Sequence, residues 1–199
     1  MHQPKKLLTS IFVLGFILFC SAVLNAQQIE SSYDLSLQLV IGSDENSQRG
    51  ELPAELSNIS KELKTGFKFS DYRLGATFLG RISNNGSFDY RSIWNIVGQE
   101  SSPQSFVEWS TTNMKAMPNS TGKAGFQAQS FRFGARVPIV TSGVKDESNT
   151  TTQVYNYEQI GFTVSKIGLL ENTPTLVGSL TLPGTRGTIF LILTIRAAD

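Results

Sequence analysis

The stretch that decides the fold is FQAQSFRFGARVPIVTSG (126–143), followed after a polar insert by QVYNYEQIGFTVSK (153–166). Aromatic and β-branched residues dominate both halves, which is typical of strands. The insert SGVKDESNTTT (142–152) has the residues of turns and loops. Pro138 has no backbone N–H, so it restricts its strand to a sheet edge or a bulge at that point. The pattern predicts two β-strands, within Phe126 to Lys166, joined by a flexible loop.

Upstream of this pair, the spacing of leucines predicts first a strand and then a helix. YDLSLQLVI (33–41) alternates apolar and polar residues, as a strand with one buried face does. LPAELSNISKELKTG (52–66) instead repeats apolar residues at helical spacing. Pro53 suits the first helical turn and Gly66 suits the end, so we predict an amphipathic helix from Pro53 to Thr65. Its apolar face is formed by Leu52, Leu56, Ile59 and Leu63.

A second alternating segment begins after Phe67. It places Leu74, Ala76, Phe78 and Ile82 on one face, with Gly75 and Gly80 as candidate bulges. Asn84-Asn85-Gly86 follows, and an Asn-Gly pair between alternating segments predicts a β-hairpin. The return strand carries Phe88, Tyr90, Trp94 and Ile96 on one face, and Phe106 to Trp109 predicts another short strand. Thr111 to Gly125 is expected to be irregular or an exposed hairpin tip.

The carboxyl-terminal segment predicts a last strand pair, Thr175 to Leu182 and Thr188 to Arg196. The sequence IFLILTI (189–195) is apolar on both faces, so its strand is expected inside the sheet, with one face against the helix. The order of elements indicates a β-rich α+β fold: a mainly antiparallel sheet of hairpins with one amphipathic helix packed on it.

The amino-terminal residues have the order of a secretory signal. Lys5 and Lys6 precede an apolar segment from Leu7 to Phe19, and small or polar residues lead to Ala26. We expect residues 1–26 to be removed as a signal peptide and residues 27–199 to form a single β-rich domain. A retained membrane anchor is the alternative, but the apolar segment is shorter than the roughly 20 residues that span a bilayer.

Removal of the signal would exclude several chemistries. The chain has one histidine and one cysteine, His2 and Cys20, and both lie in the predicted signal. A mature chain without them has no Ser-His-Asp or Cys-His catalysis, no His or Cys metal site and no disulfide. Removing Lys5 and Lys6 from the 17 basic residues leaves 15 against 16 acidic residues, so no charge field indicates nucleic acid.

The remaining candidate residues have simpler structural explanations. Asp44-Glu45 and Asp146-Glu147 lack the ligand spacing of a calcium loop. A glycosidase pair would need two carboxylates across a cleft, and the candidates are Glu100, Glu108 and Glu158. Arg132 and Arg136 suit an anion site or an exposed strand face. Sugar-stacking or core aromatics are Trp94, Trp109, Tyr155 and Tyr157. We assign no catalytic, cofactor-binding or metal-binding residue and expect no cofactor.

The sequence RVPIVTSG followed by YNYEQIGFTVS resembles the β-domain of bacterial secretins and their relatives. The matching positions are Arg136, Pro138, Ile139, Tyr157, Gly161 and Phe162. VGSLTLPGTRGTIFLILTI (177–195) is similar to the strand-turn-strand that follows in such proteins, and ELPAELSNISKELKTGFKFSDYRLG (51–75) is similar to a segment of uncharacterised exported bacterial proteins. The resemblance implies a periplasmic or outer-membrane-associated protein. A secretin subunit has several further modules, so pore formation does not follow from it.

These observations predict a non-enzyme that is exported and serves as a structural or interaction module of a bacterial envelope assembly. Its partners would be other proteins or further copies of itself, bound through strand edges, with no nucleic acid and with membrane association only through an assembly. A soluble periplasmic ligand-binding β-domain is the alternative, and a carboxylate-based hydrolase is the third hypothesis.

Overall fold

The computed structural model describes residues 31–44, 51–94, 103–117, 124–145, 151–181, 183 and 187–198. They lie in one compact unit, Ser31–Asp199. The predicted signal peptide is outside the described residues. The strands are β1 (Ser32–Ser43), β2 (Asp71–Ser83), β3 (Phe88–Trp94), β4 (Ser105–Thr112), β5 (Lys115–Met117), β6 (Gly125–Lys145), β7 (Thr151–Leu170), β8 (Thr175–Thr181) and β9 (Gly187–Ala197). A 3₁₀ turn (Ala54–Leu56) leads into helix α1 (Ser57–Gly66).

The strands form two antiparallel sheets. Sheet I has the order β2-β1-β9-β8. In sheet II, β3 pairs with β4, β4 and β5 pair with successive parts of β6, and β7 pairs with the other side of β6. The β-rich α+β fold with one packed helix is therefore confirmed, and the division of the hairpins between two sheets is a feature that the sequence did not indicate.

A single large core lies between the sheets. Sheet I contributes alternate residues of β1 and β9, and sheet II contributes Trp109, Phe131 and Phe133, all at most 1% exposed. Side chains on the inner faces interdigitate because each strand directs every second residue to the same side. The predicted inner position of β9 is confirmed, since β9 lies between β1 and β8 and both of its faces are buried.

The helix covers the outer face of sheet I, as the sequence predicted. Leu56, Ile59 and Leu63 pack with Phe190 and Ile192, which project from β9 away from the sandwich core. The Tyr72 hydroxyl lies 3.0 Å from the Leu63 carbonyl oxygen and 2.8 Å from the Phe67 carbonyl oxygen, so its single proton is shared between these two acceptors. The Leu63 carbonyl also accepts a hydrogen bond from the Phe67 N–H at 2.8 Å, so Tyr72 adds a second contact at the end of the helix.

A bulge in β2 corrects the predicted face of Leu74. Leu39 pairs with Ala76 but Val40 pairs with Leu74, so Gly75 is the extra residue. An extra residue exchanges the two faces of a strand on either side of it. Leu74 therefore packs with the helix cluster, whereas Ala76 faces the sandwich core. Of the two candidate bulges Gly75 is confirmed, and Gly80 pairs regularly with Leu35.

The predicted Asn-Gly hairpin is wrong, although the turn exists. Asn85 has φ 61° and the Gly86 N–H bonds to the Ser83 carbonyl at 2.9 Å. The two strands that the turn joins belong to different sheets, because β2 pairs with β1 and β3 pairs with β4. The Phe88 ring lies over Gly80, where a Cβ would be 2.3 Å from its Cζ. Phe88, Tyr90 and Trp94 of β3 are half-buried and pack against the sandwich core, and the strand partner of β3 is β4.

The central strand pair is confirmed and is longer than predicted. Paired residues extend to Lys145 and Thr151, so strand structure continues into both ends of the predicted loop. Pro138 lies beyond Arg136, the last residue of β6 that pairs with β4, so among the described residues this part of β6 has a strand partner on one side only. The expected irregular segment after Thr111 contains β5, and residues 118–123 lie outside the described part.

Candidate interaction surface

The most distinctive surface of the molecule is an arm formed by the far ends of β6 and β7. We define the arm as Val137–Lys145 of β6 and residues 151–158 of β7. Pairing between β4 and β6 ends at Arg136, and from Val137 onward β6 pairs with β7 alone among the described residues. Both edges of this two-stranded ribbon therefore lack a strand partner in the part of the chain that the structure describes.

The arm is exposed and partly apolar. Every residue from Gln153 to Gln159, which we call the edge segment, is exposed. Val140 is 56% exposed, Val154 41% and Tyr157 43%. Val140 is paired with Tyr155 and so shares a face with the tyrosines, whereas Val154 lies on the opposite face of the ribbon. Exposed apolar and aromatic side chains that are close together indicate an interaction site more often than isolated ones do.

The base of the arm is an aromatic and arginine cluster on the outer face of sheet II. The Arg136 guanidinium carbon lies 5.0 Å from the centre of the Phe106 ring, and the centres of the Phe106 and Tyr157 rings are 5.8 Å apart. The Tyr157 hydroxyl also donates a hydrogen bond to the Gln104 carbonyl at 3.1 Å. These contacts tie the arm to β4, and they hold together tyrosine, phenylalanine and arginine, which are enriched in interfaces.

The free edge of β7 is capped by its own side chain. The Tyr157 backbone N–H donates a hydrogen bond to Asn156 Oδ1 at 2.8 Å. The Val154 carbonyl accepts a hydrogen bond from the Thr141 hydroxyl of β6, so the Val154 backbone groups face β6. By alternation along β7 the Tyr157 N–H points to the free edge, where the Asn156 side chain accepts its hydrogen bond in place of a neighbouring strand.

Beside the arm, the outer face of sheet II carries a pair of glycines and an ion pair. Gly134 and Gly161 are paired, and a Cβ on Gly161 would lie 2.5 Å from the Phe133 carbonyl oxygen. Glu108 lies next to Gly134, and its Oε1 is 3.4 Å from an Arg132 nitrogen. A shallow depression of about 470 Å³ extends from here toward Arg136 and Gln159.

The structure does not bring Glu108 and Glu158, the two candidate glycosidase acids that it describes, together. Glu108 projects from the outer face of sheet II, as do Tyr157 and Gln159. Glu158 lies between those two residues in β7, so alternation places it on the opposite face. Glu100, Glu45, Asp146 and Glu147 lie outside the described residues, and Asp44 accepts a hydrogen bond from the Ser70 N–H at 2.9 Å. Within the described ranges, no three His, Cys, Asp or Glu residues are grouped as a metal site would require.

The candidate aromatic residues also separate. Trp109 is 1% exposed in the sandwich core, and Trp94 packs against that core. Tyr155 and Tyr157 are exposed on the arm. The two tryptophans and the two tyrosines therefore form no common sugar-stacking cleft. Sequence alternation could have separated them, since Trp109 lies in phase with the apolar Val107 of β4.

A second concave surface lies on the outer face of sheet I, beside the helix. It is a groove of about 640 Å³ in which Arg81 is bound to Asp34 through two hydrogen bonds, at 2.7 and 3.2 Å. The Arg81 guanidinium holds the pKa of the Asp34 carboxyl below its ordinary value. Thr194, also in the groove, is 4% exposed and its hydroxyl has no hydrogen-bond partner among the described residues.

No family model matches the chain, and no curated protein matches it. The resemblance to secretins therefore stays a prediction. In the described ranges, no helix has the length and hydropathy needed to cross a membrane.

Proposed function

We propose that this protein is an exported, non-catalytic interaction module of a bacterial envelope assembly and that it associates through the arm. The observation that carries this proposal is the free edge of β7, which is exposed over the whole edge segment. An open strand edge binds another strand through main-chain hydrogen bonds, and neighbouring side chains supply specificity.

Physical considerations favour a bound partner for the arm. An isolated two-stranded ribbon is marginally stable in water. Soluble proteins commonly protect free edges with lysine, proline or bulges. The edge segment has one charged residue, Glu158, and its apolar and aromatic residues stay exposed. A further strand along this edge would cover them and stabilise the ribbon.

The resemblance to secretins points to the same part of the molecule. Pro138, Ile139 and Tyr157 lie in the arm, and Arg136 lies at its base. We propose that the arm is the secretin-like element and that it joins the domain to an assembly in the periplasm or at the outer membrane. Export is tested by the intact mass of the secreted chain, which is expected to start at Gln27. A full-length cytosolic product would contradict export.

The role of the arm is tested by photo-crosslinking in a Gram-negative host. A benzophenone amino acid at Tyr155 is expected to yield crosslinked products of defined mass. The matched control is Gln127, which is exposed on β6 near the opposite end of the same hairpin. Absence of products from Tyr155, or equal products from both positions, would contradict an interaction through the arm.

The groove on sheet I favours a second candidate, a ligand-binding β-domain. Its volume of about 640 Å³ is within the range of small-molecule sites. Thr194 supplies a buried hydroxyl there, and the Asp34–Arg81 pair supplies charge. Size-exclusion chromatography with light scattering separates the candidates. A strict monomer that binds a small molecule, and loses that binding when Thr194 is replaced by Val, would favour the ligand-binding domain.

A further inference from the structure

We propose that the partner of the β7 edge is a second copy of this chain, paired antiparallel about a two-fold axis at Asn156. This inference rests on the proposed function, because it names the partner of the same arm. It concerns the edge segment Gln153–Gln159, whose seven residues read QVYNYEQ.

The sequence of the edge segment is nearly the same in both directions from Asn156. Antiparallel pairing centred there places Tyr155 of one copy opposite Tyr157 of the other, and Gln153 opposite Gln159. An interface with two-fold symmetry must be self-complementary in this way, since residue i contacts residue j and j contacts i. Opposed aromatic residues are among the favourable cross-strand pairs.

The backbone of β7 is oriented for this register. The N–H and C=O groups of one residue point to the same side of a strand, and the side alternates along the chain. The Tyr157 N–H faces the free edge, where it bonds to the Asn156 side chain. By alternation the backbone groups of Tyr155, Gln153 and Gln159 face the same edge. Pairing about Asn156 therefore opposes residues whose N–H and C=O groups can all bond across the interface.

The side chains of the edge segment alternate between two faces, and the proposed register brings no two like charges together. The tyrosines and glutamines form one face, on which Tyr155 donates a hydrogen bond to Gln153 at 2.5 Å. Val154 and Glu158 lie on the other face, and the register opposes Val154 of one copy to Glu158 of the other. The two Glu158 carboxylates are therefore kept apart by roughly 14 Å, which is four residues at about 3.4 Å each.

Asn156 acts in this arrangement as a removable cap. In the single chain its amide oxygen satisfies the Tyr157 N–H. In the dimer the Tyr155 carbonyl of the second copy would accept that bond, and the two Asn156 residues would meet at the axis as a pair without backbone hydrogen bonds between them. The Cα atoms of such a pair are about 4.5 Å apart.

That distance makes the register testable by disulfide formation, which needs Cα atoms about 4.4–6.8 Å apart. The test uses the full chain with Cys20→Ser, so that the introduced residue is the only cysteine. Asn156→Cys is expected to give a disulfide-linked dimer under a mild oxidant. Glu158→Cys is the matched control, because it is on the same face and exposed but its two copies would be roughly 14 Å apart. We expect a several-fold larger crosslinked fraction at position 156.

Light scattering of the reduced variants and the unsubstituted chain completes the test. A dimer, with preferential crosslinking at position 156, supports the inference. A dimer that crosslinks equally at both positions, or preferentially at 158, overturns the register. A monomer at high concentration overturns the second copy as partner. If Tyr155 photo-crosslinks to a product whose mass differs from a dimer, the inference fails while the proposed interaction module stands; if it gives no product, both fail.

Discussion

Leu191→Ala is the most direct test of the architecture, because Leu191 lies at the centre of sheet I. Its side chain is fully buried in the sandwich core, and its strand neighbours are Leu39 on β1 and Gly178 on β8. The matched control is Leu79→Ala, since Leu79 is also a strand leucine but is 70% exposed.

The expected magnitude follows from the burial of Leu191. Removing a buried leucine side chain to alanine costs about 2–5 kcal/mol, through lost transfer free energy and a residual cavity. Gly178, its neighbour on β8, offers no side chain to fill the space, so we expect a value of about 3 kcal/mol or more. With a urea m-value of about 2 kcal/mol/M, that loss lowers the unfolding midpoint by about 1.5 M. An exposed leucine changes stability by about 0.5 kcal/mol or less.

Urea unfolding measured by tryptophan fluorescence is a suitable assay, since Trp109 is in the same core. The m-value is expected to stay constant if both variants unfold in one step. Equal midpoints for Leu191→Ala and Leu79→Ala would refute the inner position of β9 and the sandwich core built around it.

Four further predictions rest on particular contacts and on two pKa shifts. Gly178→Ala is expected to lower the free energy of unfolding by about 1–3 kcal/mol through overpacking, since the new Cβ would lie 2.4 Å from the Phe162 ring. Gly168→Ala is the control, because its Cβ would have no atom within 4 Å, and it is expected to leave the urea midpoint nearly unchanged. Tyr72→Phe removes the hydroxyl that bonds the end of the helix and is expected to cost about 0.5–1.5 kcal/mol, seen in the urea midpoint; an unchanged midpoint would contradict it. Burial raises the pKa of Tyr72, so the folded state holds its proton more tightly and stability should fall as pH rises above about 10, a loss that Tyr72→Phe should lessen. The lowered pKa of Asp34 stabilises the folded state above about pH 4, and this stabilisation is lost at lower pH. The effect should be small because the ion pair is exposed. Asp34→Asn should abolish it, as measured by the unfolding midpoint between about pH 2 and 6.

From the sequence we could predict binding through a strand edge, but not which strand has the open edge. The β6–β7 pair and the restriction at Pro138 could be predicted from residue types. The open edge could not, because it depends on where β4 stops pairing with β6, at Arg136, and on β7 having no further neighbour among the described residues. The Asn156 cap was equally hidden, since it depends on which side of β7 the Tyr157 N–H faces.

The sequence by itself determined the elements with strong periodicity. Alternation predicted β1, helical spacing predicted Leu56, Ile59 and Leu63 as the packed face of the helix, and the two-sided apolar pattern of residues 189–195 predicted an inner strand. These elements could be predicted because a buried face requires apolar residues at the repeat of the strand or helix itself, and that repeat is visible within a short stretch of sequence.

Only the tertiary structure decided how the strands are divided. The turn at Asn84-Asn85-Gly86 has the residues of a hairpin turn, yet β2 and β3 belong to different sheets. β2 pairs with β1, whereas β3 pairs with β4 and packs its half-buried aromatic side chains against the core between the sheets. Likewise Leu74 faces the helix because one glycine, Gly75, shifts the register of β2. Turn residues and period specify local geometry, whereas the choice of partner strand depends on which pairing buries more apolar surface over the whole chain.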